Sequence, residues 1–353
     1  MSTDRAFSIF DQLVTSIGLY NCESWLPLIM TKKSFTNSEC LLGFWEDFQL
    51  ETLNQKICRM VLGVHKKSSR LGTIGELGRF PLFVKALCHL LKYQAQIIKS
   101  ESGTLINNVV RENETGPNPG LNTWWGRVEK IKQTLRIKYS QYSKIDIIGN
   151  NIKKQLKSKF EMFWLAEINK IKLGNDNKNY NKLRFYSTIK GCFKKELYID
   201  LVPNRAQRAD LSRIRISSSR LAIEVLRYQT PKVPEEKRYC RYCSPSSFDN
   251  QIEGYIDNEL HFLTTCSSFT LKRNCLFSKM ESIKSGFYKL SSMEKAATLL
   301  CPTSVVTAKL VNKCIQMLFK CHTKLYEGSY QYILGLIPIN KCGCTLSSSV
   351  GNE

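Results

Sequence analysis

No stretch of this chain stays apolar for about 18 residues, the length a helix needs to cross a bilayer, so no membrane span is expected. The first ten residues, MSTDRAFSIF, hold no apolar run of the kind a secretory leader carries. Acidic residues are scarce: 30 Asp and Glu face 52 Lys and Arg, which leaves a net charge of +22. No two aspartates are adjacent. The acidic neighbours present, Glu46-Asp47 and Glu235-Glu236, do not lie in apolar strand-like runs. Two-metal polymerase and nuclease centres need clustered carboxylates, so that chemistry is not expected. The phosphate-cradling GxxxxGK[ST] loop, the GxSxG nucleophile elbow and the HExxH zinc helix are missing as well. The expectation is a chain with no catalytic centre of its own.

What is present is basic charge and thiol. Residues 121–240 hold 27 Lys and Arg against 11 Asp and Glu, and so carry +16 of the +22. A folded protein with such a block repels itself unless a polyanion is near, and a nucleic-acid backbone is the commonest polyanion. Fourteen cysteines without a leader point to a reducing compartment, with the thiols buried or bound to metal rather than paired in disulfides. An intracellular location, nucleus or cytoplasm, is the matching expectation.

Apolar spacing predicts a mainly α-helical protein. Phe10, Leu13, Val14, Ile17 and Leu19-Tyr20 recur at helical intervals, as do Phe44, Phe48, Leu53, Ile57 and Met60-Val61, which stop at Gly63. Arg70–Pro81, with three glycines and a proline, reads as a structured loop or helix junction. A helix then runs through Leu82, Leu87, Leu90-Leu91 and Ile97-Ile98. Residues 152–171 form a basic amphipathic helix, with Leu156, Phe160, Phe163-Trp164 and Ile168 on one side and Lys153, Lys154, Lys157 and Lys159 around it. Further helices are expected over 183–197, 221–228, 269–283 and 305–326. The divisions read from composition are a helical region 1–105, a linker 106–123 rich in Asn, Gly and Pro, a basic helical region 124–235, a cysteine-rich module 236–328 and a tail 329–353.

The sharpest chemical signal is Cys240-x2-Cys243, then seventeen residues, then His261-x4-Cys266. A CxxC turn places two thiolates on one ion, and zinc takes thiolate and imidazole in a tetrahedron. One of only four histidines falls at ligand spacing from a further cysteine. Four protein ligands leave no position for a catalytic water, so the expected Zn2+ is structural. Cys342-Gly343-Cys344, His322 beside Cys321 and His89 beside Cys88 are weaker arrangements. Glu224, between Ile223 and Val225, reads either as a buried acid or, as the favoured reading, as a helix-surface partner of Arg220 or Arg227.

Several segments resemble the region that follows the catalytic palm of non-LTR (LINE-type) retrotransposon reverse transcriptases. They are KICRMVLGV at 56–64, GELGRFPL at 75–82, LSRIRISSSRLAIEVLRY at 211–228, KVPEEKRYCRYC at 232–243 and DNELHFLTTC at 257–266. Upstream, FDQLV at 10–14 and LYNCESW at 19–25 are similar to the helix and aromatic segment at the same junction. The likeness spans roughly residues 7–327 in the family's order. It implies that Cys240, Cys243, His261 and Cys266 are the family's CCHC ligands, with a longer loop than retroviral zinc knuckles have. It also implies a thumb-like helical region followed by a cysteine-rich part that binds element RNA and target DNA. The family's endonuclease and palm, with its paired aspartates, would lie before Met1, and the polymerase portion of the element is an expected partner.

The expectation is therefore a nucleic-acid-binding (RNA or DNA) chain stiffened by zinc. The residues expected to meet phosphate are Lys153, Lys154, Lys157, Arg205, Arg208, Arg213, Arg215, Arg220, Arg238, Arg241, Lys272 and Arg273. Trp124, Trp125, Phe163, Trp164 and Tyr242 are candidates to stack on bases, with Trp164 better suited to a core stripe. Two other expectations stand beside this one: a non-functional transposon product, and a host-adopted protein–protein adaptor.

Overall fold

The structure, a computed structural model, describes residues 2–30, 35–100, 103–105, 107–108, 112, 123–140, 143–174, 181–202, 204–243 and 255–333, with backbone alone at 181 and 323–333. Most of the expected linker, the CxC pair at 342–344 and the tail beyond 333 lie outside these residues. The protein is mainly α-helical, and its only β pairings among the described residues are isolated bridges. No described helix is long and apolar enough to cross a membrane.

The principal helices are α1 (Thr3–Phe10), α2 (Cys22–Met30), α3 (Glu51–Leu62), α4 (Arg70–Leu77), α5 (Leu82–Ile98), α6 (Trp124–Thr134), α7 (Ile145–Lys172), α8 (Arg205–Arg215), α9 (Thr270–Ile283), α10 (Ser292–Leu300) and α11 (Val305–Ile333). The longest amphipathic one, α7, buries Ile148, Ile152, Leu156, Phe160, Trp164 and Ile168, mostly four residues apart, against α5. Each such side chain contributes about 1.5–3 kcal/mol when removed from water. Helix α5 is buried over more than one face because α2 and α6 also pack on it. Trp164 is fully buried and donates its indole N–H to the Leu71 carbonyl at 3.0 Å, as a core residue rather than a base-stacking one.

Three expectations about local structure are corrected. The glycine-rich segment 70–81 is a helix junction only over residues 78–81, between α4 and α5; α4 occupies the rest and is buried from Leu71 to Leu77. Glycine permits this because the helix is pressed against α7; a Cβ on Gly75 would sit 2.4 Å from Trp164 Cζ2. Gly78 then ends the helix in the left-handed region (φ +55°). Residues 183–197 form no continuous helix, only short turns at Asn181–Leu183 and Tyr186–Ile189 before an irregular stretch of bends. Residues 221–228 form the single turn Ala222–Val225 and a 3-10 turn, Leu226–Tyr228. Helix α10, opened by a Ser291–Glu294 capping box, was not anticipated.

Buried apolar residues form two clusters. One joins α2, α5, α6 and α7; the other joins α3 and α8 to α9, α10 and α11. Residues from the first hundred positions, Cys58, Val61, Leu62 and Leu77, belong to the second cluster, together with Cys240 and Cys266. The packing thus crosses the compositional divisions at 105 and 235.

A buried ionic knot stitches the same elements. Arg215, fully buried on α8, grips Glu76 of α4 through Nε and Nη2 at 3.0–3.2 Å. Its Nη2 also reaches Glu196 at 3.0 Å, and its Nη1 donates to the Leu300 carbonyl at the end of α10 at 2.6 Å. The Tyr198 hydroxyl donates to Glu76 at 2.7 Å. The carboxylates beside Arg215 outweigh its burial and hold its pKa well above the ordinary value, so it stays charged.

Candidate metal centre

The two halves of the Cys/His motif meet through a short antiparallel contact. Tyr239 bridges Ile256, the Cys240 N–H donates to the Tyr255 carbonyl at 2.7 Å, and the Asp257 N–H donates to the Arg238 carbonyl at 3.0 Å. This lays the CxxC turn beside the segment leading to His261.

His261 and Cys266 stand five positions apart. In an α-helix that spacing turns them about 140° apart, on different faces. Here residues His261–Thr265 adopt a π-helical turn, and the Cys266 N–H donates to the His261 carbonyl at 2.8 Å. The wider turn brings both side chains to one side. The Asn258 side chain accepts the His261 N–H at 2.8 Å and steadies the start of the turn.

Cys240, Cys243, His261 and Cys266 thereby form a group that could hold a metal ion, with all four ligand atoms within 4.8 Å of one another. The Cys243–Cys266 sulfur separation is 3.7 Å and the Cys240–Cys266 separation 4.0 Å. A tetrahedron with metal–sulfur bonds of about 2.3 Å has sulfur–sulfur edges near 3.8 Å. Cys240, Cys266 and His261 are buried and Cys243 half-buried. His261 Nδ1 lies 3.0 Å from the Thr265 hydroxyl, while Nε2 is buried with no hydrogen-bond partner among the described residues. A buried orphan nitrogen is costly unless something else uses it. A ligating histidine held at its other nitrogen is the usual outer-sphere arrangement.

The thiols are electrostatically uneven. The hydrogen bond from Cys266 is the largest influence holding Cys240 well below the ordinary thiol range; the same bond, with burial, pushes Cys266 up. A cation among the sulfurs would favour their thiolate forms. A second trio, Cys22, Glu23 and His89, also brings ligand atoms within 4.8 Å. There burial, with Glu23 adding to it, raises Cys22 to about 12, which disfavours the thiolate a metal needs. All cysteines among the described residues are free thiols.

The surroundings of the four ligands are packed. Arg273 donates to the Cys266 carbonyl at 2.7 Å, and Arg238 donates to the carbonyls of Val233 and Ile223 at 2.9–3.0 Å. His322, one of the weaker ligand candidates, is buried against Phe262 and Phe269, with Nε2 3.5 Å from Asp257. Glu224 is not a surface residue: it is buried, meets Arg227 at 3.2 Å, and is raised to about 7 chiefly by burial.

The twelve residues expected to meet phosphate divide. Arg208, Arg215, Arg238 and Arg273 are buried and bonded to the protein's own carbonyls or carboxylates, Arg208 to those of Val61 and Val202. Their guanidinium groups satisfy internal acceptors, so they are removed from the expected phosphate set. Lys153, Lys154, Arg205, Arg220 and Arg241 are exposed, and Lys157, Arg213 and Lys272 are half-buried. Arg213 binds the Gly63 carbonyl at 3.0 Å and Asp210 at 2.8 Å, and Lys272 contacts the Cys321 sulfur. Among the aromatic candidates, Phe163 is buried, Trp124 donates to the Glu23 carbonyl at 2.7 Å, and Tyr242 packs edge-on against His322. Comparisons of the chain with models of known protein families, with curated proteins and with solved structures found no match.

Proposed function

We propose that this chain is a nucleic-acid-binding protein whose C-terminal half is locked by a structural zinc ion, corresponding to the thumb and CCHC portion of a non-LTR retrotransposon reverse transcriptase. The observation that carries the reading is the closed Cys3His group joined, through one core, to a chain of net charge +22. Bound zinc would supply a tetrahedral cross-link between the CxxC turn and the π-helical turn. Cys240, Cys243 and Cys266 would bind through sulfur and His261 through Nε2. The four donors complete the shell, so the metal's role is to stiffen rather than to activate water. The resemblance of segments 56–82 and 211–266 supports the retroelement assignment. Two of those segments meet in space through the Glu76–Arg215 pair.

The test has two parts. Metal analysis of the purified chain is expected to find one zinc per chain, reduced in Cys266→Ala. Anisotropy titration of a labelled oligonucleotide is expected to show affinity that falls linearly on a log–log plot against salt, with a slope of about −0.7 per phosphate contacted for single strands. Absence of zinc ends the metal reading, and absence of binding at low salt ends the nucleic-acid reading. One observation favours a second reading, a protein-binding adaptor. Ile9, Leu13, Ile17 and Tyr20 project from successive turns of the N-terminal helical stretch, at 42%, 61%, 78% and 81% exposure. Salt-insensitive association with a protein is the result expected of that reading.

A further inference from the structure

An open cleft of about 800 Å³ lies between α1, the turn joining α4 to α5, and α7. That is within the range of sites that take nucleotide-sized ligands. Five cationic side chains line it, Arg79, Lys85, Lys153, Lys157 and Lys195, against two carboxylates, Asp4 and Asp11. They come from four separate parts of the chain, so only the fold assembles them.

The charges are not balanced within the cleft. Asp11 is shared by Arg79 at 2.7 Å and Lys85 at 2.9 Å, so one carboxylate serves two cations. Lys195 is held by Asp4 at 2.9 Å and by Asp200 at 2.5 Å. Lys153 and Lys157 stand one helical turn apart on α7 and form no ion pair with a carboxylate among the described residues. Two cations sit on aromatic faces: Arg79 lies 4.3 Å from the Phe7 ring centroid and Lys157 Nζ 4.7 Å from that of Phe80. Phe80 is in turn wedged edge-on against Phe160 and Phe193. The ring beneath Lys157 steadies its ammonium without taking up its N–H donors, whereas Arg79 also donates Nε to Asn54 at 2.7 Å and both Nη groups to Asp11 at 2.7–3.2 Å.

We propose that this cleft binds a nucleotide phosphate, with Lys153 and Lys157 supplying the uncompensated charge and the Asp11-bound Arg79 and Lys85 adding to the positive field of the cleft. This rests on the nucleic-acid reading above and deepens it by naming where the strand is gripped. The same chemistry would accept a nucleotide unit within a strand or a free nucleotide.

The test uses the full zinc-loaded chain, a fluorescein-labelled single-stranded uridine oligonucleotide and, as competitor, adenosine triphosphate. Lys153→Glu/Lys157→Glu is compared with Lys309→Glu/Lys313→Glu, which reverses two exposed lysines on α11. The cleft pair is expected to weaken oligonucleotide binding at least about tenfold and to flatten the salt slope by about 1.4, the value for two lost single-strand phosphate contacts. The α11 pair is expected to change binding much less. Lys153→Gln/Lys157→Gln, with its melting curve, provides the same comparison should charge reversal disturb folding. Competition by the triphosphate in the unaltered chain, lost in the cleft variant, identifies a free nucleotide as the ligand; no competition identifies the strand. If the oligonucleotide binds the unaltered chain and both lysine pairs weaken it equally, the cleft assignment is overturned while nucleic-acid binding stands. If the unaltered chain binds neither probe, both fall together.

Discussion

Replacing Arg215 by methionine separates a structural arginine from a phosphate-binding one. Sequence places Arg215 in a basic run, yet the fold buries it fully between Glu76, Glu196 and the Leu300 carbonyl. Methionine fills similar volume but leaves the fully buried Glu76 with, among the described residues, only the Tyr198 hydroxyl as a close side-chain partner. Stranding one member of a buried ion pair costs about 3–5 kcal/mol. Glu196 adds less, because it is partly exposed and keeps Lys190. The expected loss in urea unfolding is therefore about 4 kcal/mol. Adding Glu76→Gln removes the stranded charge and should recover much of it. Arg215→Lys should be intermediate, since one ammonium cannot span Glu76 and the Leu300 carbonyl together. Unchanged stability of Arg215→Met, combined with weakened oligonucleotide binding, would refute the structural role.

Other expectations follow from the same contacts. His261→Gln removes the Nε2 donor and should lower zinc content and thermal stability together; retention of full zinc would count against His261 as a ligand. Glu51 and Glu224 are both raised from 4.5 to about 7, chiefly by burial. Between those values the folded chain holds protons that the unfolded chain has released, so stability should fall as pH rises from about 4.5 to about 7, by up to about 1.4 kcal/mol per pH unit for each group. Glu51→Gln and Glu224→Gln should each flatten that fall in urea melts, and an unaltered profile would show the burial effect to be wrong. Gly75→Ala would drive a methyl into Trp164 at 2.4 Å and should cost about 1–3 kcal/mol of stability. A neutral result would mean that α4 and α7 are not in close contact.

The candidate metal group was legible in the sequence because a CxxC pair and one of only four histidines stand at ligand spacing around Cys240, Cys243, His261 and Cys266. The amphipathic helix α7 was legible for a related reason: a long 3.6-residue repeat has one way to bury its stripe, and Phe160 and Trp164 do lie inside. Short or glycine-containing segments were not legible. Helix α4 depends on Trp164, which lies far along the chain, to make its glycines useful. Positive charge was read correctly as a total and wrongly at particular residues. An arginine carries the same letter whether it faces water, like Arg220, or satisfies carbonyls inside, like Arg208 and Arg238.

Composition and spacing thus determined the helical class, the basic excess and the four residues of the candidate metal group, because each follows from residue type at short range. Tertiary structure decided the rest. It chose a π-helical turn that brings His261 and Cys266 to one face. It withdrew four arginines from the surface. It also gathered Arg79, Lys85, Lys153, Lys157 and Lys195 around one cleft. Those outcomes depend on which distant surfaces come together, and no local rule along the chain contains that information.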